Sequence, residues 1–283
     1  MEFNELVAHL AQLPTTHQPD WLTGLGERKI KELEFHNRSR DRKKAESLPQ
    51  DTYEQLYGNE KFYATTQLSR DYVQQWIREK SKGKVFLDYA CGNGGNAMRA
   101  ARAGAKLSIG IDISDTSVQN AIDAASVDGL SGNTRFLQAD CENTGLPDNC
   151  IDVIVCSGML HHLDLNFAFP ELQRILKPGG VILAVEALDY NPVIKFYRYR
   201  TPHMRTEWEK AHILSYKDVR FAKKFFEVQN VKHWHLFGIA GVKVPSLLPV
   251  LNQMDRIFLK LPLLKLMSWM FTFELHKPKP VTH

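Results

Sequence analysis

The chain has 283 residues, 43% of them hydrophobic and 24% charged, with 17 Gly and 13 Pro that follow no period. Disorder, collagen-like repeats and low-complexity chains are thereby excluded, and the length suits one large domain or two small ones. The net charge is only +4, but the run 28–44 carries eight Lys/Arg against three acids, which suits a solvated helix face or a contact for phosphate or acidic lipid.

In chain order, the first 84 residues are polar and helix-like. Their start has Glu2 and Glu5 where a secretory signal carries lysines, and no long apolar run follows, so no export is expected. Ile30, Leu33 and Phe35, then Tyr72, Val73, Trp76 and Ile77, recur at helical spacing. Residues 1–83 are expected to form a helical cap. From Val85 onward short apolar runs alternate with helical segments: VFLDYA (85–90), LSIGIDI (107–113), TRFLQA (134–139), IDVIVCS (151–157) and GVILAVEA (180–187). Runs apolar on both faces need helices on both sides of the sheet, which makes these strands parallel. Ser114 is expected to cap the helix after the second strand and Pro170 to sit in a first helical turn. Lys177, Pro178, Gly179 and Gly180 are expected to stop a helix before the fifth strand.

After Ala187 a polar, aromatic and basic insert occupies about 188–214, and Ser215 is expected to cap a helix at 217–226. A sixth strand is expected at 228–237, a second, apolar insert at 238–268, and a last strand at 270–275. This α/β order fits a doubly wound open sheet whose ligand crevice lies outside the carboxyl ends of the strands. The most apolar stretch, 244–273, is broken by Asp255, Arg256, Lys260 and Lys265 and has no charge-free run of about 18 residues to cross a bilayer. Surface contact with lipid and a homodimer interface remain open for it. Cys91, Cys141, Cys150 and Cys156 show no zinc spacing. They read as reduced thiols of a cytoplasmic protein, and no metal is expected.

The first strand runs into Asp88, Tyr89, Ala90, Cys91, Gly92, Asn93, Gly94, Gly95, Asn96 and Ala97, a glycine turn where backbone must approach a ligand or another element closely. Gly92, Gly94 and Ala97 also satisfy the dinucleotide spacing G-x-G-x-x-A. Asp88, however, stands where a pyrophosphate would meet a like charge, whereas a cationic amino group would be welcomed. Asp112 and Asp140 end the second and third strands, where one can grip ribose hydroxyls and the other an exocyclic adenine amine. Three acids at successive strand tips suit an adenosine that carries an amino acid.

On these pieces, with IGIDIS, FLQADCENTGLPD, IDVIVCSGMLHHL and ELQRILKPGGVILAVEA, the chain resembles the class I S-adenosylmethionine-dependent methyltransferases of the small-molecule, quinone-methyltransferase-like branch. The resemblance implies a Rossmann-like seven-stranded sheet, mostly parallel with one antiparallel strand, in a domain spanning 84–283. It also implies S-adenosyl-L-methionine as the methyl donor. Ala90, Gly92 and Gly94 would line its methionine part near Asp88, Asp112 would hold the ribose with Ile113 against the adenine, Asp140 and Cys141 would read the adenine edge, and Ser157 and Gly158 would reach the methionyl end. His161 and His162, with Glu186 as their orienting partner, are the candidate base pair. His36, Tyr63, Arg200, His203 and Arg205 are the candidates for the acceptor side, with Arg200 and Arg205 alternatively paired to Glu207 and Glu209. A hydroxyl oxygen on a small, partly apolar molecule is the expected acceptor, with carbon and nitrogen open.

Three rivals compete. Nucleic-acid methylation would expect a Pro-Pro-aromatic turn or a Pro-Cys step after the fourth strand, but Ser157, Gly158, Met159 and Leu160 stand there and Cys156 follows Val155. A nicotinamide dehydrogenase leaves Asp88 and Asp140 without a purpose. A non-catalytic adenosine-binding module would keep the acids and do no chemistry.

Overall fold

The strand-like runs all form strands, and they join in one sheet. The computed structural model describes residues 1–18, 20–41, 47, 49–58 and 60–279; the end of the basic run, 42–44, lies outside them. The strands are β1 (Val85–Tyr89), β2 (Leu107–Asp112), β3 (Thr134–Gln138), β4 (Ile151–Ser157), β5 (Leu176–Ala187), β6 (Glu227–Trp234) and β7 (Met270–His276). Their order is β3-β2-β1-β4-β5-β7-β6. β1 to β5 are parallel, and β7 runs antiparallel to both β5 and β6. Every residue of β1 is buried, as two helix layers require.

The order reverses between β1 and β4, and a crevice opens there at the carboxyl ends of the strands. Asp88, Asp112, Ser157 and Glu186 lie at or next to those ends, with Asp140 just beyond β3. On one face Leu6 and Leu10 of the Phe3–Gln12 helix join the core built on Leu87, Ile109, Ile154 and Ile182. On the other, Val73, Trp76 and Ile77 of the Gln67–Ser81 helix pack on Phe86, Val153 and Leu183. That last leader helix is thus a layer of the sheet itself, although the polar texture of 1–83 predicts a cap. The Glu27–Arg40 helix instead lies over the crevice.

Local signals differ from expectation at three places. Pro170 sits inside the Leu165–Ile175 helix, not in its first turn; Asp164 caps that helix through the Asn166 amide at 2.9 Å. Pro170 and Asn166 are both exposed, so water can take the Asn166 carbonyl that the proline leaves unbonded. The Lys177 to Gly180 run belongs to β5, which begins at Leu176 against Ile151; a register shift between Ile151 and Val153 absorbs the glycines. β6 ends at Trp234, because His235 turns into the left-handed region at φ 66°. The two serine caps follow expectation: Ser114 accepts from the Ser117 amide, and Ser215 with Asp218 forms a capping box on the Tyr216–Ala222 helix.

The inserts form short helices. The first holds Pro192–Arg200 and Glu207–Ala211. The second holds Leu248–Phe258 and Pro262–Lys265, tied to the end of β6 by buried Asp255, which accepts from the Phe237 and Gly238 amides at 2.7 and 3.0 Å.

Candidate active site

β1 enters a turn in which Ala90, Gly92 and Gly94 have φ of 56°, 50° and 76°, so the backbone coils straight into the Gly95–Arg102 helix. Ala90 holds a side chain in the left-handed region, a strain of about 1–3 kcal/mol that the surrounding packing must sustain. The two glycines serve different ends. A β-carbon on Gly94 would lie 2.7 Å from the Phe136 ring and 2.8 Å from Ala121, so Gly94 lets the helix close on the sheet and does not line the crevice. A β-carbon on Gly92 would point at the Arg40 guanidinium at 3.3 Å, and Gly92 does line the crevice.

Asp112 accepts from the Gly92 amide at 2.8 Å and the Ser114 amide at 2.9 Å, and so pins the turn while keeping further lone pairs for a ligand. Burial pushes its carboxyl above the usual range despite these bonds. Asp88 accepts from the Ala97 and Asn96 amides at 3.0 and 3.2 Å, and burial outweighs them to push its carboxyl up to about 7. Asp112, Ile113, Asp140 and Cys141 line a void of about 100 Å³, together with Ala90 and Gly92. Asp88 lines a neighbouring cavity of about 630 Å³ that shares Ser157, Gly158, His36 and His162 with it.

The Glu27–Arg40 helix closes over this void. Lys29 pairs with Asp140 and, at 2.9 Å, with Glu142, while Arg28 donates to the His162 carbonyl at 2.8 Å. Asp140 therefore meets a leader lysine rather than standing open, a contact that sequence spacing does not reveal. On the same helix Glu32 is buried, accepts from Thr206 and lies 2.9 Å from His162 Nδ1. Burial by itself depresses the His162 imidazole, but Glu32 holds it above its ordinary value. His36 stands edge-on to His162 at 5.1 Å between ring centres, and burial, reinforced by the His162 charge, pushes it down to about 3. Glu32, His36 and His162 bring three ligand atoms within 4.8 Å of one another, as do His161, His162 and Glu209; either set could hold a metal ion.

His161, unlike His162, does not line the 100 Å³ void. Its Nδ1 lies 2.6 Å from Glu186, which is fully buried and also accepts from the Met159 and Leu160 amides at 2.9 and 2.8 Å. His161 lines both the 630 Å³ cavity and a third cavity of about 690 Å³. That third cavity is mainly apolar, with Ile194, Ile213, Ile239, Val242 and Trp269 in its walls, and it shares Tyr63, Ala187, Glu209 and Trp269 with the second.

Of the residues expected on the acceptor side, Tyr63 and His36 line these cavities. Arg205 does too, but its Nε lies 3.3 Å from Glu209 and its Nη1 donates to Thr201, the internal pairing that sequence left open. Arg200 and His203 are exposed and line none of the three cavities. Helical spacing explains the Arg200 difference: in the Pro192–Arg200 helix Ile194 and Arg198, four apart, point inward, and Arg200 lies off that face. Arg198 was expected only as part of the substrate-facing insert and not singled out, and Trp269 and Glu32 were not expected in the site. The i, i+4 relation of Arg198 to Ile194 was the available signal for the first.

A family profile described as "Methyltransferase domain" matches residues 87–184. Among curated proteins, a sterol 24-C-methyltransferase of Neurospora crassa is 32% identical over 130 residues, covering 46% of this chain and 34% of the relative. A ubiquinone/menaquinone biosynthesis C-methyltransferase of Idiomarina loihiensis is 33% identical over 126 residues, covering 42% of this chain and 50% of the relative. The chain thus spans between a third and half of the length of these relatives. Among solved structures, the geranyl diphosphate C-methyltransferase of Streptomyces coelicolor aligns with a TM-score of 0.61 at 15% identity, over 89% of this chain and 98% of that one. The [4+2]-cyclase SpnF aligns at 0.55 and 19% identity, over 75% and 83%. These structural likenesses show the fold.

Proposed function

Residues 87–184 match a methyltransferase-domain family, and on that premise we propose that this chain transfers a methyl group from S-adenosylmethionine to a small, mainly apolar acceptor. One observation carries the reading: three cavities share walls in sequence, from Asp112 and Asp140, past Asp88, to the apolar chamber at His161 and Trp269. The donor, when bound, supplies an electrophilic methyl on a sulfonium. Asp112 holds the ribose, Ile113 lies against the adenine, and Asp88 meets the cationic amino group. Aligning the acceptor with that methyl in a water-poor site supplies roughly 7–11 kcal/mol of the barrier reduction.

A base adds about 10²- to 10⁴-fold. Glu186 accepts a hydrogen bond from His161 Nδ1–H, which leaves the Nε2 lone pair for the acceptor's proton. The acceptor atom in this reading is a hydroxyl oxygen. A carbon acceptor is the second reading, favoured by the names of the two curated relatives, both C-methyltransferases. Incubation with methyl-labelled donor and a panel of phenols, quinols and isoprenoid alcohols, read by mass spectrometry and NMR, tests both. A labelled O-methyl product supports the first reading and a C-methyl product the second. S-adenosylhomocysteine binding without any product from the panel or from cell extract would reduce the protein to a binding module.

The acceptor in this reading comes from a lipid surface. Among the described residues no helix is long and apolar enough to cross a membrane. Yet Val250, Ile257, Leu261 and Leu263 of the second insert, and Val193, Phe196 and Tyr199 of the first, are exposed on segments that also wall the apolar chamber through Val193, Ile239 and Lys243. The cations Lys243, Arg256, Lys260 and Lys265 accompany them in 238–268, where the single acid, Asp255, is buried. Exposed apolar side chains interspersed along the chain with cations match an anionic bilayer surface.

A further inference from the structure

We infer that the apolar chamber contains an oxyanion subsite at Arg198, and that the acceptor is amphipathic: an apolar body with one carboxylate or phosphate held by this guanidinium. The inference rests on the methyl-transfer reading and specifies its substrate class.

Arg198 lines the chamber, and its Nη1 is buried without a hydrogen-bond partner among the described residues. The nearest counter-charge, Asp189 Oδ1, lies 3.9 Å from Nη1, outside hydrogen-bond range, and the other oxygen of that carboxylate is 2.9 Å from Lys195. The neighbouring guanidinium is already matched, since Arg205 pairs with Glu209 and donates to Thr201. The chamber therefore holds a guanidinium whose Nη1 has, among the described residues, no acceptor within hydrogen-bond range. A buried donor left unmade is costly, and a charged one more so. Burial, reinforced by Arg205, indeed pushes the Arg198 guanidinium below its ordinary value.

A neutral apolar ligand would seal this guanidinium away from water with nothing to accept from it. A carboxylate or phosphate would take two parallel N–H bonds from the planar fork. Lys61 and Lys243, in the same walls, add like charge that favours an anion. The rest of the chamber, Ile194, Ile213, Ile239 and Val242, fits the apolar body, and His161 stands in the wall it shares with the donor cavity.

The test is calorimetric binding of decanoate, decyl phosphate and decanol, below their aggregation limits, to the full chain with S-adenosylhomocysteine titrated in parallel. At least one anion should bind about 10-fold or more tighter than decanol, and the preferred anion distinguishes a carboxylate from a phosphate site. Arg198→Met should bring that ratio to within about twofold. Arg198→Lys should retain part of it, and Arg200→Ala, on the exposed side of the same helix, should leave it unchanged. Thermal unfolding of each variant checks folding. Equal binding of all three probes, binding of none, or a preference that survives in Arg198→Met would overturn the inference. If those results came with intact S-adenosylhomocysteine binding, the methyl-transfer reading would stand while the anion subsite fell; loss of S-adenosylhomocysteine binding in the unaltered chain would remove both.

Discussion

The Glu186 carboxylate divides its two oxygens between the loop after β4 and the His161 imidazole, the proposed base. Oε1 takes the Met159 and Leu160 amides, and Oε2 lies 2.6 Å from His161 Nδ1. The loop after β4 is thereby fixed by the same group that orients the imidazole. Glu186→Gln separates the two roles. The amide oxygen still accepts from the loop, but the amide NH₂ faces Nδ1 and forces the proton onto Nε2, so the lone pair no longer meets the acceptor. Turnover is expected to fall about 10²- to 10⁴-fold, with S-adenosylhomocysteine affinity changed by less than about threefold. Steady-state kinetics and calorimetry check the two halves. His161→Ala is the poorer probe, because it strands the buried Glu186 charge.

Asp112→Ala removes the acceptor for both the Gly92 and Ser114 amides as well as the proposed ribose contact. Donor binding should weaken at least about 100-fold, as expected for the loss of charge-assisted hydrogen bonds. Calorimetry with S-adenosylhomocysteine reads this directly, and unchanged affinity would remove Asp112 from the donor site.

Asp88 gives a pH signature. Its carboxyl is raised to about 7 by burial, against the Ala97 and Asn96 bonds and the more remote Arg99, and a cationic amino group binds its ionised form. Affinity for S-adenosylhomocysteine should therefore rise from pH 6 to 8 and level off above, with a proton released on binding near pH 7. The stability sign is opposite. A folded value above the unfolded one contributes stability at low pH that is lost as pH rises toward 7. Asp88→Asn should accordingly stabilise the empty protein at pH 8, by up to about 4 kcal/mol, while abolishing the pH dependence of donor binding. Denaturant unfolding at pH 5 and pH 8 measures the first effect.

His162 ties the crevice to its cover, through Glu32 at 2.9 Å on the Glu27–Arg40 helix. His162→Ala leaves Glu32 buried with a hydrogen bond from the Thr206 hydroxyl and with His36 Nε2 at 3.7 Å. The helix should lift more often, so trypsin should cut within it several-fold faster, and S-adenosylhomocysteine should bind about tenfold more weakly. A turnover loss with neither change would instead give His162 a direct part in the chemistry.

Replacing Val250 and Leu263 together by Glu should abolish co-sedimentation with vesicles containing phosphatidylglycerol, while binding of S-adenosylhomocysteine stays unchanged. No sedimentation of the unaltered chain, combined with a dimer in analytical ultracentrifugation that the double variant loses, would assign the face to a second copy.

The strands were legible because buried parallel strands write apolar runs on both faces, as in residues 85–87 of β1 and 153–156 of β4, and the order of acids at their tips follows the chain. Gly94 misled because a glycine needed for packing against Phe136 looks in sequence like one needed for a ligand. Lys29 and Glu32 were hidden because their partners, Asp140 and His162, lie more than a hundred residues away, and no local pattern encodes which face of a leader helix meets the crevice. Arg200 and His203 were misplaced for a similar reason: composition marks the insert as basic, whereas the helical phase set by Ile194 turns Arg198 inward.

The central claim, a donor cradle built by Asp88 and Asp112, is tested most directly by calorimetry of the full chain with S-adenosylhomocysteine at pH 8, followed by NAD. One S-adenosylhomocysteine bound per chain, lost in Asp112→Ala and unaffected by NAD, is the expected result. Saturable NAD binding with no heat from S-adenosylhomocysteine would contradict it.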